Sequence, residues 1–316
     1  MQLQTNIPFV KEPYNPISYD SHICLLGSCF SEHIGEKLAY YKFNTFQNPF
    51  GILFHPKAIE NLIVKAINQE TFTENDIFYQ NERWHCFEAH SELSHENKET
   101  VLQRLNAAIA QTYQTLQEAS HIIITLGTAW VYRFIETDML VANCHKVPQK
   151  QFLKELLSVD EVAASVENCI ALLKSFNPKL TIVFTVSPVR HVKDGFVENQ
   201  QSKAHLLAGI HQHISKREHI HYFPSYELMM DELRDYRFYA DDMLHPNTLA
   251  VNYIWEKFQH AWISHESEPT METVASIQKG LSHKPFNPNS EQHQKFLVNL
   301  HTKIEKLQQE FSFIKF

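Results

Sequence analysis

Several short runs in this chain are apolar on both of the faces a strand would present: Ile23-Cys24-Leu25-Leu26, His121-Ile122-Ile123-Ile124-Thr125-Leu126 and Leu180-Thr181-Ile182-Val183-Phe184-Thr185-Val186. A strand with one wet face alternates apolar and polar residues, whereas a continuously apolar run needs cover on both sides. Further strands are predicted at 43–46 and 219–223. Between the strands, helical spacing of apolar residues predicts helices over 31–41, 57–70, 101–119, 159–176, about 200–215, 225–236 and 247–263. Strands and helices in alternation predict an α/β fold, a three-layer α/β/α sandwich around a five-stranded parallel sheet.

The remaining segments hang on that frame. Residues 1–20, with Pro8, Pro13 and Pro16, read as an extended lead-in, and residues 131–150 as a hairpin or long loop. Residues 71–99 are polar and read as an excursion. Pro285 and Pro288 precede a charged amphipathic helix from Ser290 to Phe311. The expected organisation is one domain over 1–265, with its excursion at 71–99, and a helical extension over 266–316 packing on it.

Composition removes several function classes. The 28 Lys and Arg against 36 Asp and Glu give a net charge of −8, which argues against a partner bound through its phosphates. With 7 glycines and neither GxGxxG nor GxxxxGK[ST], the chain carries no nucleotide-binding motif. No apolar run approaches the roughly 18 residues that span a bilayer, and Met1–Asn6 lacks a basic segment leading into an apolar one. The 5 cysteines are odd in number and lack CxxC spacing, so reduced thiols in a cytoplasmic protein are expected. His211 and His213 do not share a helix face. His219 and His221 share a strand face with no adjacent carboxylate or thiol. No metal, organic cofactor, nucleic acid or membrane is therefore expected.

The predicted strand ends carry the polar motifs, where open α/β sheets place their ligand crevice. Gly27-Ser28-Cys29-Phe30 follows the first strand, and Asp242-Met243-Leu244-His245-Pro246 opens the helix at 247–263. A serine at a strand-to-helix turn can expose its hydroxyl, and an Asp three residues before a His can orient the imidazole that takes its proton. Plainer roles compete. Ser28 is a good helix N-cap, Cys29 is an alternative nucleophile at a helix start, and Asp241 competes with Asp242. Asn143, His145 and Arg190 lie in loops that border the crevice, with Arg190 suited to a carboxylate or phosphate.

These blocks carry a resemblance. Gly27-Ser28-Cys29-Phe30-Ser31, Asn48-Pro49-Phe50-Gly51, Thr125-Leu126-Gly127-Thr128-Ala129, Ser187-Pro188-Val189-Arg190 and Asp242–Pro246 occur in the order seen in the GSCFA family. That family is similar to the SGNH (GDSL-type) hydrolases, and the likeness covers about residues 20–265. It implies Ser28 as nucleophile, His245 as general base and Asp242 as its orienting carboxylate. It also implies an oxyanion hole from the Ser28 N–H, the Gly51 N–H and an asparagine side chain. Here the chain departs, since Ala129 stands where the asparagine would be and has no side-chain donor. Losing one such donor costs about 10²–10³ in rate unless a neighbour replaces it, and Thr128 or Asn143 is placed to do so. The expected activity is a serine-dependent ester hydrolase removing a small acyl group, such as acetyl from a carbohydrate. An acyltransferase on the same fold and a catalytically silent binding module are the alternatives.

Overall fold

The computed structural model describes residues 5–214 and 217–316. Residues 1–4, in the stretch read for targeting, and residue 215, the predicted end of a helix, lie outside them. In chain order the elements are β1 (His22–Gly27), α1 (Cys29–Tyr40), β2 (Asn44–Gln47), α2 (Pro56–Ile67), a hairpin of β3 (Phe78–Gln80) and β4 (Arg83–His85), and α3 (Lys98–Glu118). They continue as β5 (His121–Leu126), β6 (Trp130–Phe134), β7 (Met139–Val141), β8 (Phe152–Leu156), α4 (Val159–Phe176), β9 (Thr181–Val186), α5 (Phe196–Ile214), β10 (Ile220–Phe223) and the single turn α6 (Ser225–Glu227). The last three are α7 (Thr248–Trp262), α8 (Glu268–Leu281) and α9 (Glu291–Glu310).

The central sheet has five parallel strands in the order β10-β9-β5-β1-β2. Alternate residues of each strand feed opposite cores, which is why the strands are apolar throughout. Cys24, Leu26, Ile122, Ile124, Ile182 and Phe184 face α2 to α5. Ile23, Leu25, Ile123 and Val183 face α1 and α7. The α/β/α layering is thus already present in the strand composition. β1 has β2 on one side and β5 on the other, so the chain reverses its direction of travel across the sheet there. Such a switch point opens a crevice at the carboxyl ends of the strands.

One expectation is corrected. The helix expected over 225–236 stops early, because the Leu233 N–H bonds back to the Leu228 carbonyl at 3.0 Å, a π-type turn over Leu228–Glu232 that ends the helical run. Residues 131–150 supply the β6–β7 hairpin, to which β8 adds an unexpected third strand. Residues 71–99 leave the sheet but not its core: Phe72, Ile77, Cys86 and Ala89 are buried in the α2–α5 layer. α8 lies within the helical extension expected over 266–316, ahead of the one helix placed there by its spacing. Its Met271, Val274 and Ile277 join Leu300 and Leu307 of α9 in the α1–α7 core.

Candidate functional site

The elbow after β1 is set by Gly27. Its φ is +136°, and a Cβ there would lie 2.1 Å from the Thr125 carbonyl oxygen, so only glycine lets β1 turn against β5. The Gly27 N–H donates to Asn48 Oδ1 at 2.9 Å, and the Leu53 N–H donates to the Gly27 carbonyl at 2.9 Å. The second block therefore runs across the exits of β1 and β5. Three residues beyond it, the Phe54 carbonyl accepts from the Gly127 and Thr128 N–H groups at 2.8 and 3.0 Å.

Ser28 occupies the N-cap position of α1, yet its side chain makes no capping bond. It is fully buried, and its Oγ has no hydrogen-bond partner. An unbonded buried hydroxyl costs about 1–3 kcal/mol, so capping does not account for the residue. A Cβ on Gly127 would sit 3.2 Å from Ser28 Cβ, so any larger residue there would press on the serine. Burial and Glu32 raise the Cys29 thiol above its ordinary range, and Lys203 only partly offsets them. That opposes a thiolate nucleophile.

The turn before α7 carries the second motif, and its imidazole makes no hydrogen bond to Ser28 Oγ in this structure. Asp242 Oδ1 accepts from the N–H groups of Leu244 and His245 at 2.9 and 3.0 Å. Its Oδ2 accepts from His245 Nδ1 at 2.6 Å. The backbone N–H of His245, that of Leu244 and the imidazole bond together pull the carboxyl down to about 2. Asp242 thus holds the imidazole, Asp241 does not, and Asn247 alone caps α7. The Arg190 N–H donates to the Leu244 carbonyl at 3.2 Å, tying this turn to the exit of β9.

The remaining sequence-expected residues separate. The two N–H donors read for the oxyanion hole are engaged, Ser28 to Thr125 O at 3.0 Å and Gly51 to Asn48 O at 2.7 Å, and the Thr128 N–H donates to Phe54 O. The Thr128 hydroxyl lies 3.0 Å from Ser202 Oγ and accepts from the Trp130 N–H. No open oxyanion hole is formed by those groups. At the start of α1 the Ser31 N–H donates to the Ser28 carbonyl at 2.8 Å, and the N–H groups of Cys29 and Phe30 face the Cys29 thiol. Asn143 lines a cleft of about 480 Å³ with Phe54, Thr128, Trp130, His191 and Lys193. Its side chain accepts from the His145 N–H at 2.9 Å. His145 also borders this cleft but is buried, with Nε2 bonded to the Cys86 carbonyl at 2.6 Å and its ring 4.7 Å from that of His85. Burial holds it down to about 4, a neutral packing histidine more than an exposed ligand contact. Arg190 lies outside the cleft. It lines a second groove with Met230, Tyr236, Met243 and Leu244.

Two residues given no role by the motif reading lie close to these groups. His191 stacks edge-on to Phe54 at 5.6 Å and is pushed down to about 3 by burial, by Lys203 and by His245. Lys203 of α5 is fully buried and donates to the Gly127 and Ser187 carbonyls, each at 2.7 Å. Burial, opposed by Cys29 and reinforced by Arg190, pushes the ammonium down to about 7. A signal was available: Ser202, Lys203, Leu206, Gly209 and Ile210 form the buried stripe of α5, and a lysine on such a stripe is unusual.

Among the described residues no three His, Cys, Asp or Glu side chains converge on a metal position. Nor is any helix among them long and apolar enough to cross a membrane. No curated protein matches the chain. The GSCFA family matches residues 22–258, and the GSCFA domain protein, C-terminal domain, matches residues 274–316. The first match runs from β1 into α7 and takes in both the Ser28 elbow and the Asp242–His245 turn, and the chain belongs to the GSCFA family.

Proposed function

We propose that this protein is a serine-dependent ester hydrolase of SGNH type, with Ser28 as nucleophile, His245 as general base and Asp242 as the carboxylate that orients it. The observation that carries the reading is the 2.6 Å bond between His245 Nδ1 and Asp242. It fixes the proton on Nδ1 and leaves Nε2 as an acceptor. It is made at the sheet edge to which β1 delivers an unbonded serine hydroxyl. Ser28 Oγ attacks the ester carbonyl carbon while its proton passes to Nε2. The oxyanion is held by N–H groups at the start of α1. Collapse expels the alcohol, which takes the proton from the imidazolium, and water then repeats the sequence on the acyl-enzyme. Ser28 is fully buried, so its elbow must open to admit substrate.

The cleft of about 480 Å³ lined by Phe54, Trp130 and His191 is not lined by Ser28 or His245, and it suits the sugar-sized alcohol part of the substrate, with aromatic walls and the Asn143 amide at its side. Acetyl removal from a carbohydrate is the finer assignment. Five free thiols, three of them buried, favour a cytoplasmic setting. A binding module that retains the fold without turnover is the rival reading, favoured by the engaged N–H groups of Ser28, Gly51 and Thr128. Acyl transfer would use the same residues with an alcohol in place of water.

A fluorophosphonate probe followed by peptide mapping tests the assignment. Wild type should label at Ser28, Ser28→Ala should not, and His245→Ala should label more slowly by about 10²-fold or more. No labelling of folded wild type would leave the binding module as the reading. Acyl release that rises on adding a sugar acceptor would mark a transferase.

A further inference from the structure

Lys203 sits where a lysine is costly. Long cationic side chains usually reach the surface by their stems, but this ammonium is sealed beneath the sheet edge with no carboxylate acting on it. Its partners are two main-chain oxygens, those of Gly127 and Ser187, and the Tyr226 ring with its centroid 5.8 Å away. A methionine would fill much the same volume without the desolvation cost. The position therefore calls for what methionine lacks, a charge or its hydrogen bonds.

The two carbonyls show what is held. Gly127 and Ser187 are the residues at which β5 and β9 leave the sheet. Gly127 packs against Ser28 Cβ, and Thr125 two residues earlier accepts the Ser28 N–H. Ser187 leads into Arg190 and His191, and the Arg190 N–H is bonded to the turn that carries His245. One ammonium thus ties the serine wall to the histidine wall. The groups facing it are Cys29 from α1, with Glu32 behind it, Arg190 and His191 from the exit of β9, and Tyr226 from α6.

We propose that Lys203 is a positioning residue for Ser28, pinning the exits of β5 and β9 around the elbow and, when protonated, placing a positive charge beside Cys29 at the start of α1. Negative charge developing on oxygen at that helix start is then stabilised by the ammonium as well as by the N–H groups. The proposal rests on Ser28 being the reacting serine.

The test compares wild type, Lys203→Met and Lys203→Gln by two readouts. The first is iodoacetamide alkylation of Cys29, followed by peptide mapping between about pH 6 and 10, which needs no hydrolase activity. Loss of the charge should slow Cys29 alkylation near neutral pH by at least about threefold. The second is fluorophosphonate labelling of Ser28 over the same range. It should fall about tenfold or more in both variants. Wild type should also lose labelling as the ammonium deprotonates above neutral pH, a decline absent from the variants, whereas a merely structural role would lower the rate equally at every pH. Unchanged rates and profiles at both residues overturn the proposal. Slower Cys29 alkylation with no labelling of Ser28 in wild type overturns the serine assignment and this role with it, while leaving the electrostatic reach of Lys203 standing. If neither variant folds, the wild-type profile decides, and the absence of an alkaline decline counts against the proposal.

Discussion

At the scale of single residues, the candidate site is made of side chains in positions that folding alone would not choose. Gly27 turns at a φ of +136° with the Thr125 carbonyl where its Cβ would be. Gly27→Ala combines left-handed strain with a backbone clash and should cost at least about 2 kcal/mol, read as a lowered urea midpoint. An unchanged midpoint would mean the elbow can relax. Ser28 keeps a buried hydroxyl with no partner, and Lys203 keeps a buried cation with no counter-ion. Asp242 spends both oxygens on its own turn and on His245. Asp242→Asn should retain the turn while losing the charge that favours imidazolium, lowering Ser28 labelling by on the order of 10²–10⁴ with little change in melting temperature. Labelling equal to that of wild type would remove Asp242 from the reaction.

The elements show which local rules the chain obeys. α4 was read from its apolar spacing and is observed over Val159–Phe176, where Ser158 and Glu161 form a capping box. α2 starts differently. His55 is its N-cap, with Nδ1 accepting from the Ala58 N–H at 3.1 Å and Nε2 donating to the Val141 carbonyl at 3.1 Å. That pair of bonds requires a neutral ring, and burial pushes the imidazole down to about 4. The folded value lies below the ordinary one near 6.5, so the unfolded chain binds more protons between the two. The stability from this group is whole above about pH 6.5 and is lost as pH falls toward about 4. His55→Ala should therefore cost about 1–3 kcal/mol at pH 7 and less at pH 4.5, measured by urea unfolding at both. A deficit that stays constant with pH would show that the ring does not titrate with folding. β8 and the bounds of α8 escaped the sequence reading for local reasons. Phe152–Leu156 is a short strand with two exposed residues, and α8 buries only three residues, Met271, Val274 and Ile277, on an otherwise polar helix.

Across the whole molecule, two cores share one sheet, and the C-terminal helices belong to one of them. Leu300, Leu307 and Ile314 are buried in the same cluster as Ile23, Leu25 and Trp255. Leu300→Ala should cost about 2–4 kcal/mol. It should lower a single transition seen together by tryptophan fluorescence and circular dichroism. An early separate transition confined to helical signal would show that the tail folds apart from the sheet. The layered α/β plan was legible because strands buried on both faces declare it in their own composition, as 121–126 and 180–186 do. The Ser28 and Asp242–His245 motifs were legible because their residue types and short spacings are local. What the tertiary structure alone decided is which distant groups meet. It put Lys203 between Gly127 and Ser187, His191 beside Phe54 and near His245, His145 into a packed corner and Arg190 into a separate groove. Those encounters depend on how helices and loops pack on the sheet edge. Local periodicity records which side of an element is buried, but not what waits on the other side of the contact.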